Sequence, residues 1–166
     1  MTVHPIAPVF DANSRILILG SFPSVRSREV GFYYGHPQNR FWRIISEICG
    51  ETLTDDKEYK KSLLLKNGIA LWDVIGSCEI VGSSDTSIRN VKVNDISKIT
   101  YAADIKAVFL NGKTAEKYFI KYISDQIKTE HHTLPSTSPA NAAYSYERLL
   151  AIWRENLSRY ITTKTV

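Results

Sequence analysis

Four short apolar runs constrain the fold more than any other feature of this chain. They are Arg15–Gly20 (RILILG), Gly68–Val74 (GIALWDV), Lys106–Gly112 (KAVFLNG) and His131–Ser136 (HHTLPS). Continuous apolar runs of this length are typical of strands that are buried on both faces of a sheet. The sequence therefore predicts four strands.

Helical patterns lie between and after these runs. The predicted helices cover Gln38–Cys49, Asp55–Lys66, a short segment starting near Asn94, Lys113–Ser124 and Ser145–Arg159. Strands that alternate with helices are typical of a parallel sheet that is covered on both faces. We therefore predict an α/β fold, a three-layer α/β/α sandwich with a central four-stranded parallel sheet. Only the tail Thr162–Val166 is expected to fray.

Composition indicates one globular domain over residues 1–166. Of the 166 residues, 43% are hydrophobic and 23% are charged, and the net charge of +4 is compatible with a polyanionic partner. Cys49 and Cys78 form no CxxC pair, no leader pattern is present, and no apolar run approaches the ~18 residues of a membrane span. We therefore expect a soluble, cytoplasmic monomer whose thiols belong to the core.

Function is expected where the strands end, because ligands of open parallel sheets bind beyond the carboxyl ends of the strands. Two connections there are long: residues 20–39 follow the first strand and residues 75–95 follow the second. Structureless connections longer than ~12–15 residues are uncommon unless they are functional. Together with LPSTSPANAAY after the fourth strand, these segments predict a site on one edge of the sheet.

The first connection ends in FYYGHPQNRFW, which carries most of the candidate chemistry. Pro37 suits the first turn of a helix, so Asn39 is expected within that turn, near the positive end of the helix dipole. An amide there can orient a water or face a developing anion, although position alone favours an ordinary polar residue at a helix start. Tyr33 and Tyr34 alternate in direction, so at most one of them can face a pocket, and Trp42 is expected at the rim.

Six motifs, in consistent order from about Pro8 to Trp153, resemble those of one known family. LILGSFPS, FYYGHPQNRFW, GIALWDVIGSC, GSSDTSI, FLNG and LPSTSPANA are together similar to the hypoxanthine-DNA glycosylase (DNA-deoxyinosine glycosylase) family of the uracil-DNA glycosylase superfamily. The resemblance implies the fold of that superfamily. It also implies a monofunctional enzyme that hydrolyses the N-glycosidic bond of a deaminated base, hypoxanthine, flipped out of DNA, and so initiates base excision repair.

One difference from a second family of the superfamily concerns the catalytic residue. HPQNRFW is similar to HPANRFW of the mismatch-specific uracil-DNA glycosylases, whose catalytic asparagine lies in a GINPG motif at the place of GSFPS here. The position of that asparagine is Phe22, which cannot hold a water. The resemblance therefore implies that Asn39 takes over the catalytic role and that Tyr34, two residues before the histidine, stacks on the base.

The resemblance also provides candidates for recognising the base. Backbone N–H groups of Ser21 and Phe22 can meet acceptor atoms of the base. Asp73 lies near the place where uracil-DNA glycosylases carry a base-reading asparagine, and Asn111 ends the third strand, so either can read the base edge. From the residues alone, Asp73 can equally be a helix N-cap and Asn111 part of a turn.

Contacts to the DNA backbone are expected from the loop after the fourth strand. LPSTSPANA resembles the second motif of the superfamily, which grips the backbone and enters the duplex. Ser136, Thr137 and Ser138 offer compact hydroxyls and N–H groups for phosphate oxygens, and Ser24 is a further candidate. Basic residues on or beside these loops are Arg26, Arg28, Arg89, Lys92 and Lys113. We expect no cofactor and no metal.

Two other functions stay open. The first is a mismatch-specific uracil-DNA glycosylase, because uracil and hypoxanthine present the same pair of a carbonyl oxygen and a ring N–H. The second is a non-catalytic damaged-DNA-binding module, which is motivated by Phe22 at the place of the mismatch family's catalytic amide.

Overall fold

The computed structural model describes residues 1–161, so the predicted fraying of Thr162–Val166 lies outside the described residues. The described strands are β1 (Thr2–Val3), β2 (Ile16–Gly20), β3 (Ile69–Asp73), β4 (Ile75–Glu79), β5 (Arg89–Val93), β6 (Ala107–Asn111) and β7 (Glu130–Leu134). The described α-helices are α1 (Val25–Val30), α2 (Phe41–Ile48), α3 (Lys57–Lys66), α4 (Ser97–Thr100), α5 (Lys113–Tyr122) and α6 (Tyr146–Leu157). Short 3₁₀ helices cover Asp85–Ser87 and Ser124–Gln126.

The central sheet contains the four predicted strands. Its order is β3-β2-β6-β7, and each neighbouring pair is parallel. All residues of β2, β3 and β6 are buried, which explains why their sequences are apolar up to the last residue of each strand; the polar last residues of β3 and β6 are Asp73 and Asn111. The edge strand β7 is partly exposed and correspondingly more polar. The predicted four-stranded parallel sheet is therefore confirmed.

Helices flank this sheet through their apolar faces. In α2, Phe41, Ile44, Ile45 and Ile48 are buried, and α2 packs against α6 with the rings of Phe41 and Trp153 6.0 Å apart. Local capping fixes two helix starts: Asp56 accepts hydrogen bonds at the start of α3, and Ser145 at the start of α6. Among the described helices, none combines the length and apolarity that crossing a membrane requires.

The two connections predicted as long loops contain structure of their own. Residues 75–95 hold β4 and β5, which pair antiparallel and form a second sheet with β1 in the order β1-β4-β5. Sequence analysis did not predict this hairpin. Its strands are largely half-buried or exposed, so they lack a continuous apolar pattern, and their pairing has register irregularities. Residues 20–39 hold α1, which Ser24 caps and Gly31 ends at a φ of 73°.

The prediction that a helix starts at Gln38 is wrong, because α2 begins at Phe41. Local hydrogen bonds hold the preceding residues in a turn: His36 Nδ1 accepts from the Gln38 N–H, and the His36 carbonyl accepts from the Asn39 N–H. Asn39 therefore lies just before the helix and not in its first turn. Trp42 is buried and not at the rim, since its indole N–H donates to the Tyr33 carbonyl 2.8 Å away.

The two cysteines lie within the folded structure as expected, Cys78 buried and Cys49 half-buried. Burial, with a smaller effect of the Glu51 carboxylate, raises the pKa of Cys49 to about 12, and burial raises the pKa of Cys78. Since the thiolate is the reactive form, we expect both thiols to alkylate far more slowly in native protein at pH 8 than in urea. Mass spectrometry after iodoacetamide treatment checks this. Native labelling of Cys49 at the rate of a free thiol would contradict it.

Candidate active site

A cavity of about 580 Å³ lies at the carboxyl edge of the central sheet. It is lined by segments that follow β2, β3, β6 and β7, together with the connection between β4 and β5. The polar and aromatic candidates from the sequence line it, together with Lys113, whereas Arg26, Arg28, Arg89 and Lys92 do not: the lining candidates are Ser21, Phe22, Ser24, Tyr34, Asn39, Asp73, Asn111, Lys113, Ser136, Thr137 and Ser138. The structure therefore brings all of these candidates together around one cavity.

The floor of the cavity is close-packed at the end of β2. A side chain at Gly20 would place its Cβ 2.4 Å from Asp73 Oδ1 and 2.8 Å from the Tyr34 hydroxyl, so this position requires glycine. The next two backbone N–H groups, of Ser21 and Phe22, bond to no protein acceptor in the described part of the chain. They are available to a ligand in the cavity.

Tyr34 is the tyrosine of the pair that lies in the site. Its ring stacks on Phe41 at 4.1 Å, and its hydroxyl accepts a hydrogen bond from Asn111 Nδ2 at 3.1 Å. The backbone of Tyr34 has a φ of 53°, in the left-handed region, which is costly for a bulky residue. Strained backbone conformations of this kind cluster at functional sites. Burial first, and then the Asp73 carboxylate, raise the pKa of Tyr34 far above its usual value, so the phenol stays neutral.

Tyr33 has a packing role instead. Its side chain is buried, and its hydroxyl donates to the Ala7 carbonyl 2.8 Å away. Both tyrosines nevertheless line the cavity, contrary to the expectation that at most one of them faces it, and only Tyr34 is bonded to another candidate residue, Asn111.

Asn39 lies on the cavity wall, half-buried, in the turn before α2. Its Oδ1 accepts from the Phe41 N–H at 2.9 Å, which fixes the side-chain amide. A carbonyl oxygen has two lone pairs, so Oδ1 can accept a second hydrogen bond. Within residues 1–161 its Nδ2 has no acceptor, so the amide keeps both acceptor and donor capacity for a ligand or a water.

Asp73 is the last residue of β3 and is not a helix N-cap, since β4 follows almost directly. It is buried, and its Oδ2 lies 2.7 Å from His4 Nε2, with the two side chains only 3% and 5% exposed. His4 Nδ1 accepts from the Ile6 N–H, so the histidine proton is on Nε2 and points at the carboxylate. Sequence analysis missed His4, because the two residues are 69 positions apart.

Asn111 forms a compact hydrogen-bond network with the loop after β7. Its Nδ2 donates to the Tyr34 hydroxyl and to Thr137 Oγ1 at 3.1 and 3.0 Å, and its Oδ1 accepts from the Thr137 N–H at 3.1 Å. Thr137 is fully buried, in contrast to the sequence prediction of a hydroxyl presented to phosphate. Ser136 and Ser138, on either side, are half-buried and face the rim.

Arg40 connects the Asn39 turn to the loop after β7. Its guanidinium donates to the carbonyls of Tyr144 at 2.5 Å, Ser138 at 2.9 Å and Asn141 at 3.1 Å. Its backbone N–H donates to the Thr137 carbonyl. Sequence analysis missed this role because nothing local indicates which carbonyls a half-buried arginine meets. Arg40 thus holds residues 137–144 against the segment that carries Asn39.

Other residues that the sequence suggested for contacts to the DNA backbone form hydrogen bonds within the protein. Ser24 accepts from the Ser27 N–H at the start of α1. Arg28 donates to the carbonyls of Pro23 and Gly82, and Arg89 donates to the carbonyls of Thr86 and Ile88. These arginines hold the connection between β4 and β5 in place at the cavity. Lys113, at the start of α5, is exposed at the rim.

Among residues 1–161, no group of three His, Cys, Asp or Glu side chains is arranged to hold a metal ion.

Replacing Arg40 tests its role in holding the loop. Arg40→Lys keeps the charge, but a single ammonium nitrogen cannot replace the two guanidinium nitrogens that contact the Tyr144 carbonyl on one side and the Ser138 and Asn141 carbonyls on the other, so we expect the free energy of unfolding to fall by about 2 kcal/mol. Urea denaturation followed by tryptophan fluorescence measures this change. Arg26→Lys is the matched control, because Arg26 makes only an exposed ion pair with Glu29 in the described structure. Equal unfolding midpoints for the Arg40 variant and wild type would contradict the assignment.

Comparisons with known proteins identify the family of this chain. The sequence profile of the Uracil DNA glycosylase superfamily matches residues 7–157. A hypoxanthine DNA glycosylase of Methanosarcina acetivorans is 38% identical over 142 residues, 84% of this chain and 89% of the relative. A hypoxanthine DNA glycosylase of Methanosarcina barkeri is 40% identical over 113 residues, 67% of this chain and 72% of the relative.

The fold is also shared with a solved structure. The solution NMR structure of a candidate uracil DNA glycosylase from Methanosarcina acetivorans superposes with a TM-score of 0.81 and 34% identity, covering 93% of this chain and 96% of that one. The match over nearly the whole chain, the shared fold and the cavity at the strand ends lead to one assignment. The chain belongs to the uracil-DNA glycosylase superfamily and, within it, to the family of the hypoxanthine DNA glycosylases.

Proposed function

We propose that this DNA glycosylase hydrolyses the N-glycosidic bond of deoxyinosine flipped out of DNA, releasing hypoxanthine and leaving an abasic site. One observation carries the proposal: the anchored amide of Asn39 and the ring of Tyr34 line the same cavity. The names of the relatives from the two Methanosarcina species support hypoxanthine as the base.

Asn39 holds the attacking water in this proposal. Cleavage of the N-glycosidic bond proceeds through an oxocarbenium-like sugar while negative charge grows on the departing base. The Phe41 N–H occupies one lone pair of Asn39 Oδ1 and fixes its direction. The second lone pair accepts a hydrogen bond from the water and directs the water oxygen at the sugar carbon. As the bond from that oxygen to carbon forms, the C–N bond breaks, its electron pair leaves with hypoxanthine, and the proton lost by the water passes to solvent or to the released base.

Tyr34 stacks on the extruded base. Phe41 covers one face of its ring, which supports the second face as the surface that meets the base. The hydrogen bond from Asn111 prevents the ring from turning out of the cavity. Stacking on an aromatic side chain partly offsets the few kcal/mol that extraction of the nucleotide from the duplex costs.

Free backbone donors serve the leaving group. The N–H groups of Ser21 and Phe22 lie at the cavity without protein acceptors in the described residues. Donors that are already in place when charge develops on the departing base lower the barrier without further reorganisation.

Contacts to the DNA backbone come from the rim. Ser136 and Ser138 present hydroxyls that can donate to phosphate oxygens, and Lys113 brings a positive charge to the same edge, whereas the Ser138 N–H is already bonded to Ser136 Oγ. Thr137 supports this loop from inside through Asn111. Phosphate contacts of this kind fix the register of the protein on DNA but do not read the sequence.

Removing the Asn39 side chain tests the mechanism. We expect Asn39→Ala to lower the single-turnover rate on an inosine-containing duplex by roughly 10²–10³-fold, because the water is no longer held. Asn13→Ala is the matched control, since Asn13 is exposed at the opposite edge of the sheet and should leave the rate unchanged. Abasic product is measured as strand breaks after alkali.

The same assay separates the alternatives when it is run on duplexes that carry inosine, uracil or no lesion. Equal cleavage by Asn39→Ala and wild type would refute the mechanism. Release of uracil without release of hypoxanthine would identify a mismatch-specific uracil-DNA glycosylase. Binding of the lesion without any abasic product would identify a damaged-DNA-binding module.

Replacing Tyr34 tests the stacking surface. We expect Tyr34→Ala to weaken productive binding of the inosine duplex by about 1–3 kcal/mol, or roughly 5- to 150-fold, whereas Tyr34→Phe keeps the ring, loses only the hydrogen bond from Asn111 and should show a clearly smaller loss. Both variants carry a side chain at the same positive φ, so backbone strain is matched. The concentration dependence of the single-turnover rate gives the binding change, and a Tyr34→Ala variant that binds as tightly as wild type would exclude stacking here.

A further inference from the structure

We propose that His4 is a positioning residue that fixes the Asp73 carboxylate as a hydrogen-bond acceptor for the ring N–H of the flipped base, and thereby determines base specificity. This inference rests on the proposed function. It concerns a residue that neither the motifs nor the Asn39 mechanism uses.

The geometry of the pair defines the state of both partners. His4 Nδ1 accepts from the Ile6 N–H at 3.2 Å, so the ring proton is on Nε2. Nε2 is 2.7 Å from Asp73 Oδ2, and therefore donates to it. Asp73 Oδ2 is thus an acceptor, and the carboxylate cannot turn without losing this hydrogen bond.

A backbone hydrogen bond and two ring contacts fix the position of His4. The His4 N–H donates to the Gly76 carbonyl at 2.8 Å, which continues the pairing of β1 with β4. The imidazole packs against the rings of Phe22 and Tyr33, with centroids 5.9 and 6.1 Å away. The pair is therefore shielded from solvent by the wall of the cavity.

The second carboxylate oxygen is left for a ligand. Asp73 lines the cavity, and its Oδ1 lies beside the face of Gly20, close to where the Tyr34 hydroxyl also approaches. No described protein donor is bonded to Oδ1. Buried polar groups are almost always hydrogen-bonded, so an open carboxylate oxygen on a cavity wall indicates a donor on the ligand.

Asn111, the other candidate reader of the base edge, is already engaged. Both of its Nδ2 hydrogens and its Oδ1 are bonded to Tyr34 and Thr137. Its amide positions the stacking tyrosine and the rim loop, which leaves Asp73 as the side chain that can face the base.

The chemistry of the bases gives this carboxylate a discriminating role. Hypoxanthine carries a ring N–H next to its carbonyl, and that N–H can donate to Asp73 Oδ1. Adenine carries a lone pair at the same ring position, so its lone pair would face the carboxylate. A site whose buried acceptor is placed for a donor on the base strongly rejects a base that presents a lone pair at that position.

Variants at His4 test whether the donor matters. His4→Phe keeps a ring of similar size but removes the donor, and we expect it to lower the single-turnover rate on the inosine duplex about tenfold. In His4→Gln the amide nitrogen can donate to Asp73, and we expect this variant to recover to within about threefold of wild type. Val3→Ala is the control, because Val3 is 67% exposed on the adjacent strand position and should have no effect.

A double-mutant cycle separates positioning from mere structural support. Asp73→Asn presents an amide N–H to the cavity and is expected to lose most excision of hypoxanthine. If His4 acts through Asp73, His4→Phe lowers the rate less than twofold further in the Asp73→Asn background, whereas a purely structural role gives the full loss in both backgrounds. Urea unfolding of each variant shows that the protein is folded.

The possible failures are distinguishable. Wild-type rates for His4→Phe, an inactive His4→Gln or fully additive effects in the cycle would overturn the role of His4 while leaving the proposed function intact. Release of uracil alone by the wild-type protein would overturn the proposed function. The same His4 and Asp73 variants and their combination, assayed on the uracil duplex, whose base has an equivalent ring N–H, would then decide the role of His4.

Discussion

The register of the central sheet is the constraint on which the site depends. In the parallel pairing of β2 with β3, Gly20 is opposite Asp73, so the carboxylate emerges beside a residue without a side chain. In the pairing of β6 with β7, Asn111 is opposite Leu134, so the following loop starts next to the Asn111 amide. Residues far apart along the chain thus become neighbours because buried parallel strands end at one edge.

The central sheet can be predicted from sequence because its strands are buried and parallel. β2, β3 and β6 are apolar at every position before their last residue because both faces are covered, and this pattern does not depend on which strands are neighbours. The hairpin of β4 and β5 could not be predicted, because Gly76 and Ser77 interrupt its apolar pattern and its register is irregular. Its pairing with β1 joins residues that no local pattern connects.

The position of the site was predictable for the same reason, and its internal contacts were not. Asp73 and Asn111 end strands, so the edge on which they lie follows from the topology. The start of α2 did not follow, because the side chains of His36 and Asn39 bond to nearby N–H groups and compete with helix formation. The partners of His4 and Arg40 are set by tertiary contacts, and the roles proposed for Asn39 and Tyr34 came from the resemblance to a family.

Asn39 and Arg40 are adjacent in the chain, yet one lies on the cavity wall and the other is bonded to the loop after β7. The turn that holds the Asn39 amide and the loop that we propose for contacts to the DNA backbone are therefore joined by hydrogen bonds in the absence of DNA. If Asn39 holds the attacking water as proposed, no binding free energy is needed to build that site. That free energy remains available for the step that a base-flipping enzyme cannot avoid, the unstacking of a nucleotide from the duplex.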